Sequence, residues 1–204
     1  MTGILSDLAI RQAIEVGDIQ IDPFNPEQIN ITSYDLTLGT EVCVYQKTVA
    51  FEQGGGLPRM DGIDLVPTGT CAMDVKEPLE VIRYEIVPDI GWWLKPGIGY
   101  LMHTHERVRT SKYNPILDGK SSIGRLFIQV HATAGYGDPG FDGQYTLEVI
   151  VQHPVRVYPG MRFCQIRFHT IAGELGRTYD QVGHYTAAHA KGAIPSQAWK
   201  QFKS

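Results

Sequence analysis

Cysteine is scarce: Cys43, Cys71 and Cys164 are the only three in 204 residues. An odd number at wide spacing excludes a disulfide framework, and the lack of a C-x-x-C pair leaves no metal knuckle. The three read as buried thiols of a reducing compartment. Long apolar runs are also missing, and nothing approaches the roughly 18 residues of a membrane span. The opening residues, Met1 to Asp7, lack the basic stretch and apolar core of a signal peptide. The expected location is the cytoplasm, with no membrane partner. Positive charge is not in excess, since 18 Lys and Arg stand against 22 Asp and Glu for a formal net charge of -4. That balance argues against a general nucleic-acid binder but leaves a local basic pocket open.

What is present fits one domain over 1–204, with 173–204 as an appended arm. A short helix opens the chain. Ser6 is placed to cap it, Asp7 puts negative charge at the positive end of its dipole, and Ile10, Ala13 and Ile14 share a face. Gly17 is a natural stop. The period then changes. Runs rich in Val, Ile, Tyr and Thr at 79–87, 99–105, 126–131, 145–152 and 163–169 alternate with turn signals. The signals are Pro88-Asp89, Lys95-Pro96-Gly97, Asp138-Pro139-Gly140 and Tyr158-Pro159-Gly160. Many short strands with this punctuation predict an all-β sandwich or barrel behind the helix. Gly54-Gly55-Gly56 reads as a loop. The tail from Gly173 is irregular. It is either a loose terminus or a lid that closes over a site.

Chemistry concentrates between Asp118 and Glu148. In Gly119-Lys120-Ser121-Ser122-Ile123-Gly124-Arg125, glycines bracket a lysine, two hydroxyls and an arginine, a composition that can cradle phosphate oxygens. The order of a Walker loop is absent. Asp138 sits in a Gly-rich turn, where a carboxylate caps the turn or accepts from a substrate hydroxyl. Phe141 offers a flat face beside it. Glu148 interrupts an apolar run, and strand alternation puts Thr146, Glu148 and Ile150 on one side. A buried carboxylate is costly unless it is paired with an arginine or has work to do. Desolvation suits the second role by raising its pKa toward neutrality. His103-Thr104-His105-Glu106 is the nearest imitation of a zinc site and reads instead as a strand-edge or turn feature.

Taken together these segments resemble the dCTP deaminase family. The match runs through Ile4-Leu5-Ser6-Asp7, Ile21-Asp22-Pro23-Phe24 and Ser33-Tyr34-Asp35-Leu36-Thr37-Leu38-Gly39. It continues through Gly119 to Arg125, Val130-His131-Ala132-Thr133-Ala134-Gly135, Asp138-Pro139-Gly140-Phe141, Thr146-Leu147-Glu148 and Tyr158-Pro159-Gly160-Met161-Arg162. The resemblance implies the distorted β-barrel, or jelly-roll, of the trimeric dUTPases, a homotrimer and active sites between subunits. It implies Glu148 as the proton shuttle for water attacking C4 of cytosine, with Ser121 and the backbone of Ala132, Thr133 and Ala134 positioning that water. Arg125 would support the glutamate and the transition state. Lys120, Ser121 and Ser122 would surround the phosphates, Asp138 the 3′-hydroxyl, and Thr146, Leu147 and Glu148 the base. Tyr179 and His184 fall in the family's tail motif. Magnesium would ride on the triphosphate, with no metal on the protein. Zinc is not expected, because the H-x-E…P-C-x-x-C signature of zinc deaminases is missing.

This chain departs from the family's usual pattern at Lys120, where arginine is usual, and in the tail, where His184 and Ala188 replace a lysine and a glutamine. The leading expectation is a deaminase that converts dCTP to dUTP. A bifunctional alternative continues to dUMP and pyrophosphate. Gly124, Gly135 and the dUTPase-like spacing Gly135-x-x-Asp138-x-x-Phe141-x-Gly143 favour that branch. A third reading is a nucleotide sensor that does no chemistry.

Overall fold

The computed structural model describes residues 3–45, 73, 75–185 and 192–203. Cys71, the glycines at 54–56 and Ala188 lie outside the described residues. Helix α1 spans Asp7–Glu15, with Ser6 accepting from the Ala9 amide at its start. Ile10 and Ala13 are buried and Ile14 half-buried. Gly17 follows at φ 81, the left-handed conformation that ends a helix at least cost when no Cβ is present.

Among the described residues ten strands follow: β1 (Ile19–Asp22), β2 (Tyr34–Tyr45), β3 (Val81–Glu85), β4 (Trp92–Leu94), β5 (Tyr100–Thr110), β6 (Tyr113–Gly119), β7 (Ile128–Gln129), β8 (Asp142–Val151), β9 (Val155–Val157) and β10 (Arg162–Thr170). Eight form an antiparallel sheet in the order β6-β10-β2-β5-β8-β7, with β1 also on β5 and β3 also on β2; β4 and β9 form a separate ribbon. The sheet curls into a nearly closed, barrel-like shell, so the β-rich fold expected from the sequence is the one observed. Leu36, Leu38, Val42, Met102, Leu147, Val149, Phe163 and Ile166 fill its interior with 0% exposure. At about 25 cal/mol per Å2 of apolar surface removed from water, this shared core holds the strands at fixed positions.

Two features differ from the sequence reading. The run 126–131 holds only the two strand residues of β7. Leu126 and Phe127 instead continue the turn after the short helix α2 (Ser121–Gly124), donating to the carbonyls of Ile123 and Gly124. The 103–106 segment lies in β5 at the middle of the sheet, not at an edge. There the pairing with β8 shifts register between His103 and Arg107. A bulge of this kind bends a strand and re-aims its neighbours. Thr104 Oγ1 takes the Tyr145 amide at 2.9 Å, and the Gln144 side chain donates to the His105 carbonyl at 2.9 Å.

Candidate active site

Strand β8 supplies the chemistry-bearing wall. Its period-two alternation turns Leu147 into the core and Gln144, Thr146 and Glu148 toward a cavity of about 470 Å3. That volume lies within the usual range for small-molecule sites. Asp138 and Ala134 line it from the loop after β7, and Phe141 from the end of that loop, just before β8. Tyr179, from helix α3 (Tyr179–Val182), closes another side with Tyr185, Ile194 and Ser196.

The loop is held by close approaches. Leu117 donates its amide to the Gly135 carbonyl at 2.6 Å, and Gly137 donates to the Pro115 carbonyl at 2.9 Å. A Cβ on Gly135 would stand 2.4 Å from the Leu117 carbonyl oxygen, so only glycine fits there. The Asp138–Gly140 turn is anchored by Gly140 donating to Thr110 and by its Pro139 carbonyl accepting from Tyr179. Phe141 packs against Tyr145 at 4.7 Å and edge-on to Tyr179 at 5.6 Å between ring centroids. These three rings form a rigid aromatic corner beside the Asp138 carboxylate. Burial pushes the Tyr145 and Tyr179 hydroxyls above the ordinary phenol range, so both stay protonated donors near neutral pH.

Glu148 sits opposite Leu101 of β5. It is half-buried and opens on the cavity, and is therefore not enclosed in the apolar run as its neighbours in sequence suggested. Its Oε2 accepts the Ala132 amide at 3.2 Å. No arginine of the same chain pairs with it among the described residues.

The other expected site residues divide into groups. Glu148, Thr146, Asp138, Phe141, Ala134 and Tyr179 share the cavity. Ala132 touches it only through the bond to Glu148, and Thr133 is exposed on the same loop. Leu147 is a correction: its side chain is fully buried in the core, because the alternation that turns Thr146 and Glu148 to the cavity turns the residue between them inward. Ser121, Ser122 and Arg125 lie on α2 and the turn after it, exposed and outside the cavity lining. Lys120 is bound to the buried Asp35 carboxylate, which Arg162 also approaches at 3.5 Å. His184 is exposed and borders a smaller pocket with Lys200 and Gln201. The sequence reading missed Tyr45, Tyr136, Gln144 and Tyr145 as lining residues. Gln144 was accessible to it by extending the Thr146–Glu148 alternation by one step.

His103, beneath this wall, is buried with Nδ1 2.8 Å from the Thr104 carbonyl. Desolvation holds its pKa below the ordinary histidine value. Among the described residues, no three His, Cys, Asp or Glu side chains stand together as a metal ligand set, and no helix is long and apolar enough to cross a membrane.

Known proteins extend the picture. A protein from Clostridium botulinum named "dCTP deaminase, dUMP-forming" is 38% identical over 91% of each chain. Proteins of the same name from Clostridium acetobutylicum and Cytophaga hutchinsonii are each 37% identical, over 98% of this chain and 98% and 99% of their own lengths. The crystal structure of 2'-deoxycytidine 5'-triphosphate deaminase from Agrobacterium tumefaciens superposes with a TM-score of 0.56 at 24% identity. It covers 85% of this chain, which spans half the length of that one, and the likeness is one of fold. Residues 4–171 match the dCTP deaminase-like family. The chain belongs to the dCTP deaminase family.

Proposed function

We propose that this chain deaminates dCTP and hydrolyses the resulting triphosphate to dUMP and pyrophosphate. The observation that carries the reading is Glu148, held by the Ala132 amide and facing a cavity it shares with Asp138 and the Phe141 corner. The relatives' dUMP-forming names favour this bifunctional course over the plain dUTP-forming one expected first. In the proposed cycle Glu148 takes a proton from water as its oxygen adds to C4 of cytosine, and N3 is protonated. Glu148 then takes the proton of the new C4 hydroxyl and passes it to the 4-amino group, the C4–N bond breaks as the C4 carbonyl forms, and ammonia leaves a uracil ring. Water next attacks the α-phosphorus, the bond to the β-phosphate breaks, and pyrophosphate departs. Asp138 binds the 3′-hydroxyl and Phe141 packs against the sugar.

Ser121, Ser122 and Arg125 lie outside the lining of this cavity, which suits a site completed by another copy. The protein would then be a cytoplasmic homotrimer, in which Ser121, Ser122 and Arg125 reach the phosphates and reacting water of a neighbouring subunit, while Lys120 stays on Asp35 and holds the start of α2. A bound triphosphate would bring magnesium, which neutralises phosphate charge. No role in base activation is assigned to it.

The test is product analysis. Purified protein with magnesium is incubated separately with dCTP and dUTP, and products are separated by chromatography. dUMP, ammonia and pyrophosphate from dCTP are expected. Persistent dUTP would reduce the function to deamination, and unchanged dCTP would remove it.

A further inference from the structure

The backbone of residues 192–197 is recognised by side chains from distant strands. Gly192 donates to Gln144 Oε1 at 2.8 Å, Ala193 to Glu41 Oε1 at 3.2 Å, Ile194 to Thr146 Oγ1 at 3.0 Å and Ser196 to the Tyr45 hydroxyl at 2.9 Å. Arg83 Nη1 donates to the Ala193 carbonyl at 2.9 Å and to Glu41 Oε1 at 2.5 Å. Glu41 and Arg83 therefore satisfy both polar groups of the Ala193 backbone. Ala193 itself is fully buried against Cys43 and Leu101. Gly192 turns at φ 72, and an added Cβ would sit 3.0 Å from Glu41 Oε1.

Neither Glu41 nor Arg83 lines the cavity, yet Ile194 and Ser196 do, and Thr146 lies two residues before Glu148 on the same face. We propose that Glu41 and Arg83 are positioning residues: their pair seats residues 192–197 as a standing wall of the cavity before nucleotide arrives. This rests on the reading of the cavity as the nucleotide site. The carboxylate and guanidinium act as a clamp on one peptide unit, so the segment is held through its backbone rather than its side chains. A charge-assisted bond to a carbonyl is stronger than a neutral one. Without the clamp, binding must reseat the segment. The cost then falls on apparent affinity, in proportion to the seated fraction, while the saturated enzyme turns over as before.

The experiment compares wild type, Arg83→Met, Glu41→Gln and Arg83→Lys. Hydrogen exchange of residues 192–203 is followed without nucleotide, and KM and kcat are measured with dCTP. Arg83→Met and Glu41→Gln should speed exchange in 192–197 by about tenfold or more, leaving β8 unchanged. KM should rise about tenfold with kcat within about twofold, and Arg83→Lys should restore part of both. Unchanged exchange overturns the clamp. Faster exchange with unchanged KM overturns the wall. A fall in kcat and Tm at constant KM marks a merely structural pair and also overturns it. Failure of the wild type to turn over dCTP would defeat the proposed function separately, and the exchange comparison would still decide whether the pair seats the segment.

Discussion

Glu148 Oε2 accepts the backbone amide of Ala132 at 3.2 Å, joining the middle of β8 to the loop that also carries Ala134 and Asp138. The bond fixes a carboxylate at the cavity wall while leaving it open to a ligand. The Glu148 carboxylate and the Asp138 turn then border the same volume, and a carboxylate so placed is within reach of a water held there, which the proposed reaction needs.

The exposed position of Arg125, apart from that carboxylate, predicts complementation between subunits. Glu148→Gln and Arg125→Ala proteins should each be inactive, yet regain activity when unfolded and refolded together. In a randomly mixed cyclic trimer, about a quarter of the sites would draw both intact residues from different chains. No recovery would place both residues in one chain's site.

Leu147 belongs to the core, so its truncation should act on folding. Leu147→Ala should cost about 2–5 kcal/mol in a chemical denaturation experiment, the usual range for emptying such a position. Discrimination between cytosine and uracil nucleotides should not change. A specificity change at unaltered stability would return Leu147 to the base-contacting group.

Gly135 is constrained by the Leu117 carbonyl oxygen, 2.4 Å from where a Cβ would stand. Backbone cannot step aside as a side-chain end can, so Gly135→Ala should destabilise by about 1–3 kcal/mol and displace the loop. Deamination should fall with it, because Ala132 and Asp138 share that loop. Full activity and stability would show that the loop has room to adjust.

Burial of His103 gives a pH dependence of known sign. Its folded-state pKa lies below the ordinary histidine value of 6.5, so the unfolded chain takes up the proton first as pH falls. The contribution is complete above that value and declines as pH drops toward the folded pKa. NMR titration of the ring should give a midpoint below 6.5, and a midpoint at or above it contradicts the buried neutral imidazole.

Much of this was legible in local sequence. Ser6, Asp7 and Gly17 bound the helix because capping and left-handed termination act over a few residues. The Gly/Pro pairs marked real turns, and period-two alternation put Thr146 and Glu148 on one face. What local sequence hid depends on distant partners. Lys120 looked free for phosphate, yet it is bound by Asp35 from β2. The tail looked irregular because its order comes from Glu41, Arg83, Tyr45 and Thr146 rather than from its own periodicity. The strand expected at 126–131 failed because the α2 turn continues through Phe127, which adopts φ 56 despite its side chain.

The most direct test of the central claim is Glu148→Gln, assayed for ammonia release from dCTP and for nucleotide affinity on the same preparation. An amide keeps the shape and can still accept the Ala132 bond, but it cannot carry the proton. The account predicts a loss of about 100- to 10,000-fold in deamination, with affinity within a few-fold of wild type. Deamination near the wild-type rate would contradict it and require another group to move the proton.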